Sequence, residues 1–386
     1  MNGLDLVLVL AAGVAAFGGW KLGFLRRLSG WIGAGLGLAL GIVIVPKVTE
    51  RLGTVSDLTI FAVGAAVLVL LASLGQGLGA VVGSKLRLGV DSRAGAGVDA
   101  VGGAVLGVVG VAVLAWLVLP VMAETEGWPS ATARGSSLAR AIDEHLPDPP
   151  PQITEFEREL AGGEFPKVFA GLRSAPDLPA PPSGSPIDAA QLERVAPSVV
   201  KLESTACGRL QSGSGFFVAD GLVATNAHVV AGASDVSVIG TDGDEGRGEV
   251  VALDPDVDLA LVRTDGGRPV LPLAEPGLGD VGLVMGFPGG GPFDPSPFEV
   301  GERLDATGYD IYDRSLVERD LLVLASELAP GDSGSAVLRA DGAVIGVAVA
   351  IAPDRVGVAY ALSSAELEQL LERGAGAPVP TGECVR

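Results

Sequence analysis

A chain of 386 residues with a mean hydropathy of +0.46 is long enough for about two or three domains and is too apolar for an ordinary soluble protein. Its formal net charge of −20 repels the phosphate backbone, which excludes nucleic-acid partners. Two histidines (His145 and His228) and two cysteines (Cys207 and Cys384) are too few for a zinc site of ordinary composition, and we expect no metal or organic cofactor.

The first third of the chain contains four apolar stretches, at 4–20, 28–45, 58–82 and 99–122. Each is close to the length that a helix needs to cross about 30 Å of hydrocarbon. A cleaved signal peptide would explain one such stretch but not the three that follow. The sequence therefore predicts that residues 1–122 form a four-helix module in the lipid bilayer.

The charges between these stretches predict an orientation. Residues 1–122 contain eight Lys and Arg against five Asp and Glu, and most of the basic residues lie in the first and third loops: Lys21, Arg26, Arg27, Lys85, Arg87 and Arg93. By the positive-inside rule, these loops are cytoplasmic and both chain ends are outside. Everything after residue 123 is then extracytoplasmic, on the periplasmic side of the membrane.

Glycines recur at four-residue spacing within the apolar stretches. The rows are Gly33, Gly37 and Gly41; Gly75, Gly79 and Gly83; and Gly103 and Gly107. Such rows let helix backbones approach closely in lipid, so they predict tight packing either within the bundle or between copies of the chain. The four-span pattern of residues 1–122 resembles the colicin V production protein family.

Residues 123–187 are predicted to form a proline-rich stalk. Two polar pieces, at 136–145 and 153–172, are compatible with short helices, and runs of proline follow each of them. Proline at this density favours a semi-extended spacer over a continuous helix. His145 lies in this stalk and is expected to be solvated.

Residues 188–386 consist of short Val-, Leu- and Ile-rich segments separated by Gly, Asp and Pro. This pattern predicts an all-β barrel or sandwich with a closing helix at Ser363–Leu371. The predicted strands are Ser198–Glu203, Gly215–Val218, Leu222–Thr225, Val236–Ile239, Leu259–Arg263, Val281–Met285, Leu321–Ala325, Ala336–Leu338, Val344–Ile351 and Val358–Ala361.

Three motifs carry candidate chemistry. The segment Pro-Gly-Asp-Ser-Gly-Ser-Ala at 330–336 is typical of a serine nucleophile on a sharp turn, with Ser333 as the nucleophile and the Gly331 and Ser333 N–H groups as oxyanion donors. His228 ends a β-branched strand segment, and Asp258 precedes a buried strand. Each motif alone also fits an ordinary turn or a structural histidine.

Taken together, the three residues occur in the order His228, Asp258, Ser333, which is the chymotrypsin order and not that of subtilisin or the α/β-hydrolases. With Gly213-Ser214-Gly215-Phe216, they make residues 195–370 resemble a compact bacterial HtrA-like protease of the trypsin fold. The whole arrangement resembles the actinobacterial acid-resistance membrane serine proteases, which join a four-span module to such a domain.

The resemblance implies a membrane α-helical bundle of four spans plus an all-β chymotrypsin-like double β-barrel at 188–386. It implies that Ser333 attacks a peptide carbonyl, that His228 takes and returns the proton, and that Asp258 orients the imidazole. Protein or peptide substrates in the cell envelope would be the partners, in an envelope, acid or oxidative stress response. Val347–Ile351 matches the strand that pairs with an extended substrate.

The resemblance also bears on Asp332, Ser335 and Glu327. Asp332 matches the residue that pairs with a freed N-terminus in zymogens, although here the chain continues into the stalk, and Ser335 stands where many relatives have glycine. Glu327 falls near the base of the primary specificity pocket. There it either selects substrates with a basic residue or, more simply, is a solvated acid in a turn. Cys207 and Cys384 bracket the domain and form a disulfide or remain free thiols; an extracytoplasmic location permits the bond.

Two other functions fit the same sequence. One is a non-enzymatic envelope scaffold or channel, in which the β domain is a degenerate sensor. The other is an esterase, because the same three side chains also hydrolyse esters.

Overall fold

The computed structural model of the chain describes residues 2–49, 57–88, 92–147, 168–206 and 208–385. The chain divides into two compact units. The first comprises Met1–Val118 with Ser136–Leu146, and the second comprises Leu119–Gly135 with Pro147–Arg386.

Four long helices account for most of the first unit: α1 (Gly3–Leu22), α2 (Phe24–Thr49), α3 (Asp57–Leu88) and α4 (Arg93–Glu124). Each contains a segment long and apolar enough to span a bilayer: Gly3–Leu22, Phe24–Val45, Ala66–Arg87 and Ala94–Glu124. Many of their large apolar side chains are exposed, as expected of a surface that faces lipid. The four predicted spans are confirmed as apolar helices of membrane-spanning length.

The glycine rows lie where these helices approach one another. A Cβ atom added to Gly33 of α2 would lie 2.1 Å from the carbonyl oxygen of Gly75 of α3. A Cβ atom added to Gly103 of α4 would lie 2.2 Å from the carbonyl oxygen of Gly19 of α1. These contacts are within one chain, so packing within the bundle is confirmed, and self-association stays a prediction.

A polar cluster joins the two basic loops. The Arg87 guanidinium donates to the carbonyl oxygens of Lys21 and Leu22 at 2.8 Å each, where α1 ends. It also lies 2.8 Å from the Asp99 carboxylate, which accepts the Leu25 N–H at 2.9 Å at the start of α2. The first and third loops therefore lie at the same end of the bundle.

Two short helices follow α4. The first, α5 (Trp128–Arg134), belongs to the second unit. The second, α6 (Ser137–His145), belongs to the first unit and confirms the stalk helix predicted at 136–145. The carboxylate of Asp5 in α1 accepts hydrogen bonds from the Ser136 hydroxyl (2.6 Å) and the Leu138 N–H (2.9 Å), which fixes the start of α6. His145 is exposed, as predicted.

The second unit contains two closed antiparallel barrels of six strands each, among the described residues. The first barrel has the order β1-β2-β3-β6-β5-β4, and the second β10-β11-β12-β9-β8-β7. The strands are β1 (Val199–Ala206), β2 (Arg209–Ala219), β3 (Leu222–Thr225), β4 (Ala233–Gly240), β5 (Glu245–Asp254), β6 (Leu259–Arg263), β7 (Val281–Met285), β8 (Ser296–Tyr309), β9 (Leu316–Ala325), β10 (Ala336–Arg339), β11 (Val344–Ile351) and β12 (Val358–Ser363). The predicted chymotrypsin-like double β-barrel is confirmed.

Three helices accompany the barrels: α7 (Ala189–Val195), the single turn α8 (Ala227–Val230) and α9 (Ser364–Arg373), which confirms the predicted closing helix. Two strands, β5 and β8, were not among the predicted segments. Glycines and outward charges interrupt the apolar pattern of both strands, and in β8 only separated positions such as Phe298 and Val300 are buried.

One hydrophobic cluster joins the two barrels. It contains Phe216 and Leu261 of the first barrel together with Leu321 and Leu338 of the second. The barrels therefore share a core, and the seam between them has a fixed geometry.

Both described flanks of the stalk pack on the second barrel. The Ala170 N–H donates to the Thr307 carbonyl of β8 at 2.9 Å, and the Phe169 ring meets the Tyr360 ring of β12 edge-on at 5.3 Å. Upstream, the Gly127 N–H donates to the Pro353 carbonyl at 2.9 Å. The helix predicted at 153–172 lies largely outside the described residues, and 168–172 is not helical.

Candidate active site

His228 lies on α8, just after β3, and not at the end of a strand as the sequence indicated. The chain leaves β3 at Thr225, and Asn226 takes an extended conformation and serves as the N-cap residue of this turn. Ala227, Val229 and Val230 are buried around it. This packing leaves the His228 side chain only 12% exposed, facing the seam of the barrels.

Asp258 and His228 are brought together as predicted. The Asp258 carboxylate lies 2.7 Å from Nδ1 of His228 and accepts the backbone N–H of the same residue at 2.9 Å. Asp258 is 1% exposed and has a φ of 65°, in the left-handed region that costs a non-glycine residue about 1–2 kcal/mol. The Asn226 amide donates to its carbonyl at 2.9 Å and stabilises this conformation.

Ser333 lies in the turn between β9 and β10. Its carbonyl accepts the Ser214 N–H of β2 at 2.8 Å, and a Cβ atom added to Gly334 would lie 3.2 Å from the backbone nitrogen of Asn226. The turn therefore packs against the segment that precedes His228. Among the described residues, Nε2 of His228 is buried without a hydrogen-bond partner, so the bond between Ser333 and His228 is not formed in this structure.

Backbone hydrogen bonds hold the turn that carries the two predicted oxyanion donors. Gly331 has a φ of 97°, and a Cβ atom there would lie 2.5 Å from the Phe287 carbonyl oxygen, so the position requires glycine. The Pro330 carbonyl accepts the Gly289 N–H at 2.5 Å; because a trans peptide sets its C=O and N–H in opposite directions, the Gly331 N–H points the other way.

The second donor, the Ser333 N–H, is oriented by a neighbouring hydrogen bond as well. The Asp332 carbonyl accepts the Ser335 N–H at 3.0 Å, which turns the Ser333 N–H away from that bond. Within the described part of the chain, neither the Gly331 N–H nor the Ser333 N–H donates to another backbone group. Two unpaired donors on one tight turn are available to an oxygen that gains negative charge.

Ser214 holds this turn in place and was not identified as a site residue from the sequence. Its buried hydroxyl accepts the Phe287 N–H at 3.0 Å and donates to the Gly331 carbonyl at 2.7 Å. Its backbone N–H binds the Ser333 carbonyl, as described above. The only sequence signal was a polar residue between two glycines in a strand.

Asp332, between the two donors, is 3% exposed. Burial, and to a smaller extent the nearby Asp294 carboxylate, raises the pKa of Asp332 to about 6, although its carboxylate accepts the Ala329 N–H at 2.9 Å. Glu327 is exposed, which agrees with a solvated turn. The Ser335 hydroxyl is buried and has no partner among the described residues.

The β11 strand passes close to the turn. The Ala348 N–H donates to the Ser335 carbonyl, and the Ala348 carbonyl accepts the Gly334 N–H, both at 2.9 Å. Pairing with β10 ends at Val347, whereas pairing with β12 continues to Ile351. Residues 349–351 of β11 therefore pair with β12 on one side and extend beyond β10 on the other.

Comparisons with known proteins agree with this architecture. Residues 213–347 match the trypsin-like peptidase domain, and residues 4–147 match the colicin V production protein family. Serine protease Rv3671c of Mycobacterium tuberculosis is 30% identical over 99% of this chain and 98% of its own length. The mitochondrial serine protease HTRA2 of Bos taurus is 32% identical over 54% of this chain and 47% of its own.

Among solved structures, the active form of the Rv3671c protease from M. tuberculosis is 35% identical and covers 56% of this chain and all of its own, with a TM-score of 0.49. The fold and the matched domains define a hydrolase: a trypsin-like, HtrA-type serine protease with membrane helices. The chain belongs to the family of the mycobacterial serine protease with which it aligns along almost its entire length.

Proposed function

We propose that this protein is a serine endopeptidase that cleaves proteins of the cell envelope with His228, Asp258 and Ser333. The observation that carries the proposal is the buried ion-pairing geometry of His228, whose Nδ1 lies 2.7 Å from a carboxylate that is 1% exposed. This contact fixes the tautomer that leaves Nε2 as the base. Nε2 itself is buried without a partner among the described residues, ready for a hydroxyl.

In this mechanism, Ser333 Oγ attacks the peptide carbonyl while its proton passes to Nε2 of His228. The carbonyl oxygen becomes negative and accepts hydrogen bonds from the N–H groups of Gly331 and Ser333. Collapse of the tetrahedral intermediate breaks the C–N bond, and the proton on Nε2 goes to the leaving amine. Water then hydrolyses the acyl-enzyme by the reverse sequence. A rotation of the Ser333 side chain supplies the missing contact, since such bonds commonly tighten only when substrate binds.

The substrate would lie as an extended strand beside β11. Residues 349–351 have no strand partner from β10, so their backbone groups can pair with a peptide in the manner of an added strand. Such pairing recognises the main chain and therefore accepts many sequences.

A fluorophosphonate probe tests the nucleophile. We expect labelling of the full chain, complete loss of labelling in Ser333→Ala, and a fall in peptide turnover of roughly 10⁶-fold. Ser335→Ala is the matched control, because it removes a neighbouring hydroxyl that has no partner among the described residues, and it should label like the wild type. Labelling that persists in Ser333→Ala would exclude Ser333 as the nucleophile.

We also propose that the protease unit lies outside the cytoplasm. The cluster of Arg87 and Asp99 with the α1–α2 turn supports this orientation, because it joins the two basic loops that the positive-inside rule assigns to the cytoplasm. Alkaline phosphatase fused after residue 386 should be active, and green fluorescent protein at the same position should be dark. The opposite pair of results would reverse the orientation.

Finally, we propose a disulfide between Cys207 and Cys384. Cys207 lies outside the described residues, so the support comes from its neighbours. The Thr381 hydroxyl donates to the Ala233 carbonyl at 2.9 Å, and Ala233 pairs with Ala206, the residue before Cys207. Such a bond would be worth roughly 5 kcal/mol in the chain-entropy model. Equal melting temperatures for oxidised and reduced protein would rule it out.

A further inference from the structure

The loop that carries Asp258 depends on contacts from the other barrel. This loop runs from Asp254 to Asp258 and connects two strands of the first barrel, β5 and β6. Within it, the Asp254 carboxylate accepts the N–H groups of Asp256 (3.1 Å) and Val257 (3.3 Å). From the second barrel, the Ile311 N–H donates to the Pro255 carbonyl at 3.1 Å.

Arg319 of β9 makes another contact with this loop, in addition to Arg373 of α9, whose guanidinium pairs with the Asp254 carboxylate. Nε of Arg319 donates to the carbonyl of Asp256 at 2.8 Å, and its Nη2 donates to the carbonyl of Tyr309 at 2.6 Å. The residue is 5% exposed, and it faces the interior while its neighbours Glu318 and Asp320 face outward or lie half-buried. A guanidinium buried in this way is costly unless acidic groups lie near it.

Four acidic side chains act on Arg319: Asp258, Asp310, Asp256 and Glu366. Burial lowers the pKa of Arg319, and these acids oppose that change, with Asp258 the largest of the four. Three of these acids either accept hydrogen bonds from other backbone groups or are exposed to solvent. Asp310 accepts the N–H groups of Tyr312, Arg314 and Ser315, Glu366 accepts the Asp320 N–H, and Asp256 is exposed to water.

Asp258 differs because it is buried and because, among the described residues, the hydrogen-bonded contacts of its carboxylate are with His228 alone. Arg319 is a buried cation on which the charge of this carboxylate acts. Its hydrogen bond to the Asp256 carbonyl also fixes the chain two residues before the left-handed turn at Asp258.

We propose that Arg319 is a positioning residue for the reaction: it holds the Asp258 loop in register with His228 and places a buried positive charge near that loop. The inference rests on the triad proposed above. Arg319 belongs to the second barrel, which supplies Ser333. It would act through its contact with the first barrel, which supplies His228 and Asp258.

The rate of labelling by a fluorophosphonate probe, measured as a function of pH on the full chain in detergent micelles, tests this role. In Arg319→Met, the plateau rate should fall roughly tenfold or more, because the loop loses its anchor. The acid limb of the profile should move to higher pH by about half a unit or more, because removal of a positive charge lets the His228–Asp258 pair take up a proton more readily.

Two further variants separate charge from geometry. Arg319→Lys keeps the charge but cannot reproduce both hydrogen bonds, so it should lower the plateau and leave the acid limb in place. Arg303→Met is the matched control: Arg303 lies on neighbouring β8 and pairs with Asp320 at 2.7 Å on the solvent side, so both features should match the wild type.

The proposal would be overturned if Arg319→Met had the same plateau rate and the same acid limb as the wild type. It would also be overturned if Arg303→Met shifted the acid limb as much as Arg319→Met does. If Arg319→Met does not fold, Arg319→Lys decides, and a wild-type plateau there contradicts the anchoring role. Failure of the triad itself is recognised separately, by labelling that survives in Ser333→Ala.

Discussion

At the scale of single residues, Ser214 connects the two barrels at the site. One hydroxyl satisfies the buried Phe287 N–H and the Gly331 carbonyl together, and these two groups belong to different loops of the second barrel. The orientation of the Gly331 backbone, which carries one of the two proposed oxyanion donors, therefore depends on a side chain of the first barrel.

Replacing Ser214 by Ala should lower the labelling rate about tenfold, less than the 10²–10³ typical of removing an oxyanion donor outright, because the donor remains and only its support is lost. It should also destabilise the fold by about 1–3 kcal/mol, since two buried backbone groups lose their partner. Ser212→Ala provides the control, because the Ser212 hydroxyl is buried on the same strand without a partner among the described residues. Equal labelling rates in the two variants would show that the Ser214 hydroxyl does not support the turn.

Asp332 should make stability depend on pH. Its pKa of about 6 in the folded chain is above the ordinary value of 3.8, so the folded state binds the proton more tightly than the unfolded state does. Stability is then highest below the ordinary pKa and falls as pH rises towards about 6, by at most about 3 kcal/mol.

Asp332→Asn removes this dependence while an amide oxygen can still accept the Ala329 N–H. We expect the variant to gain melting temperature over the wild type at pH 7.5 and to gain much less at pH 4. A gain that is the same at both pH values would mean that Asp332 does not titrate in this range.

At the level of residues, the sequence predicts candidates where the signal is local. Ser333 and Gly331 lie in one short motif, and the chain order of three motifs pointed to His228 and Asp258, which the structure brings together. The catalytic roles of these residues stay predictions. Ser214 and Arg319 were not identified as site residues, because the groups with which they form hydrogen bonds are distant in sequence. In β9, an arginine between two acidic residues looks like a solvent-facing charge until the barrel closes around it.

At the scale of elements, the membrane helices were predictable because lipid selects composition directly: a helix that spans it must be apolar over its length. The barrel strands were predictable where both faces are buried, as in β6 and β11. They were missed where one face meets water and glycine breaks the alternation, as in β5 and β8. The turn α8 escaped because four residues are too few for a helical period.

The packing of α2 on α3 gives a paired test on one helix. A Cβ atom at Gly79 would lie 2.0 Å from the Ser29 carbonyl oxygen, whereas one at Gly77 meets nothing within 4 Å. Gly79→Ala should therefore lower the melting temperature of the bundle in detergent, by a free-energy cost of about 1–3 kcal/mol. Gly77→Ala should be neutral or slightly stabilising, because alanine favours the helix. Equal effects of the two substitutions would contradict this packing.

At the scale of the whole chain, the protease unit includes more than the barrels. Val168, Ala175 and Ile187 are buried in the cluster that joins the two barrels, although they precede the first strand. The Ala175 N–H also donates to Asp354, in the loop after β11, at 3.0 Å. The sequence predicted that these residues belong to a spacer, because the segment is rich in proline. Composition indicates local stiffness, but it does not show which tertiary contacts a segment makes.

A fragment of residues 188–386 should consequently be less stable than one of residues 168–386. We expect a lower melting temperature and weaker fluorophosphonate labelling for the shorter fragment, because it exposes apolar surface and frees the loop after β11. Thermal unfolding of the two fragments side by side measures the difference. Identical curves would show that residues 168–187 are a passive spacer.

Barrel closure has a consequence for aggregation. A strand with unpaired backbone groups is a template on which other chains aggregate, and a closed sheet removes that template. Among the described strands, the rings of β1–β6 and of β7–β12 are complete. Residues 349–351 of β11 extend beyond β10, next to the residue that contacts Gly334 and Ser335. On the proposed mechanism, an unfolded chain that pairs with this edge would lie beside the nucleophile and would be cut instead of seeding an aggregate.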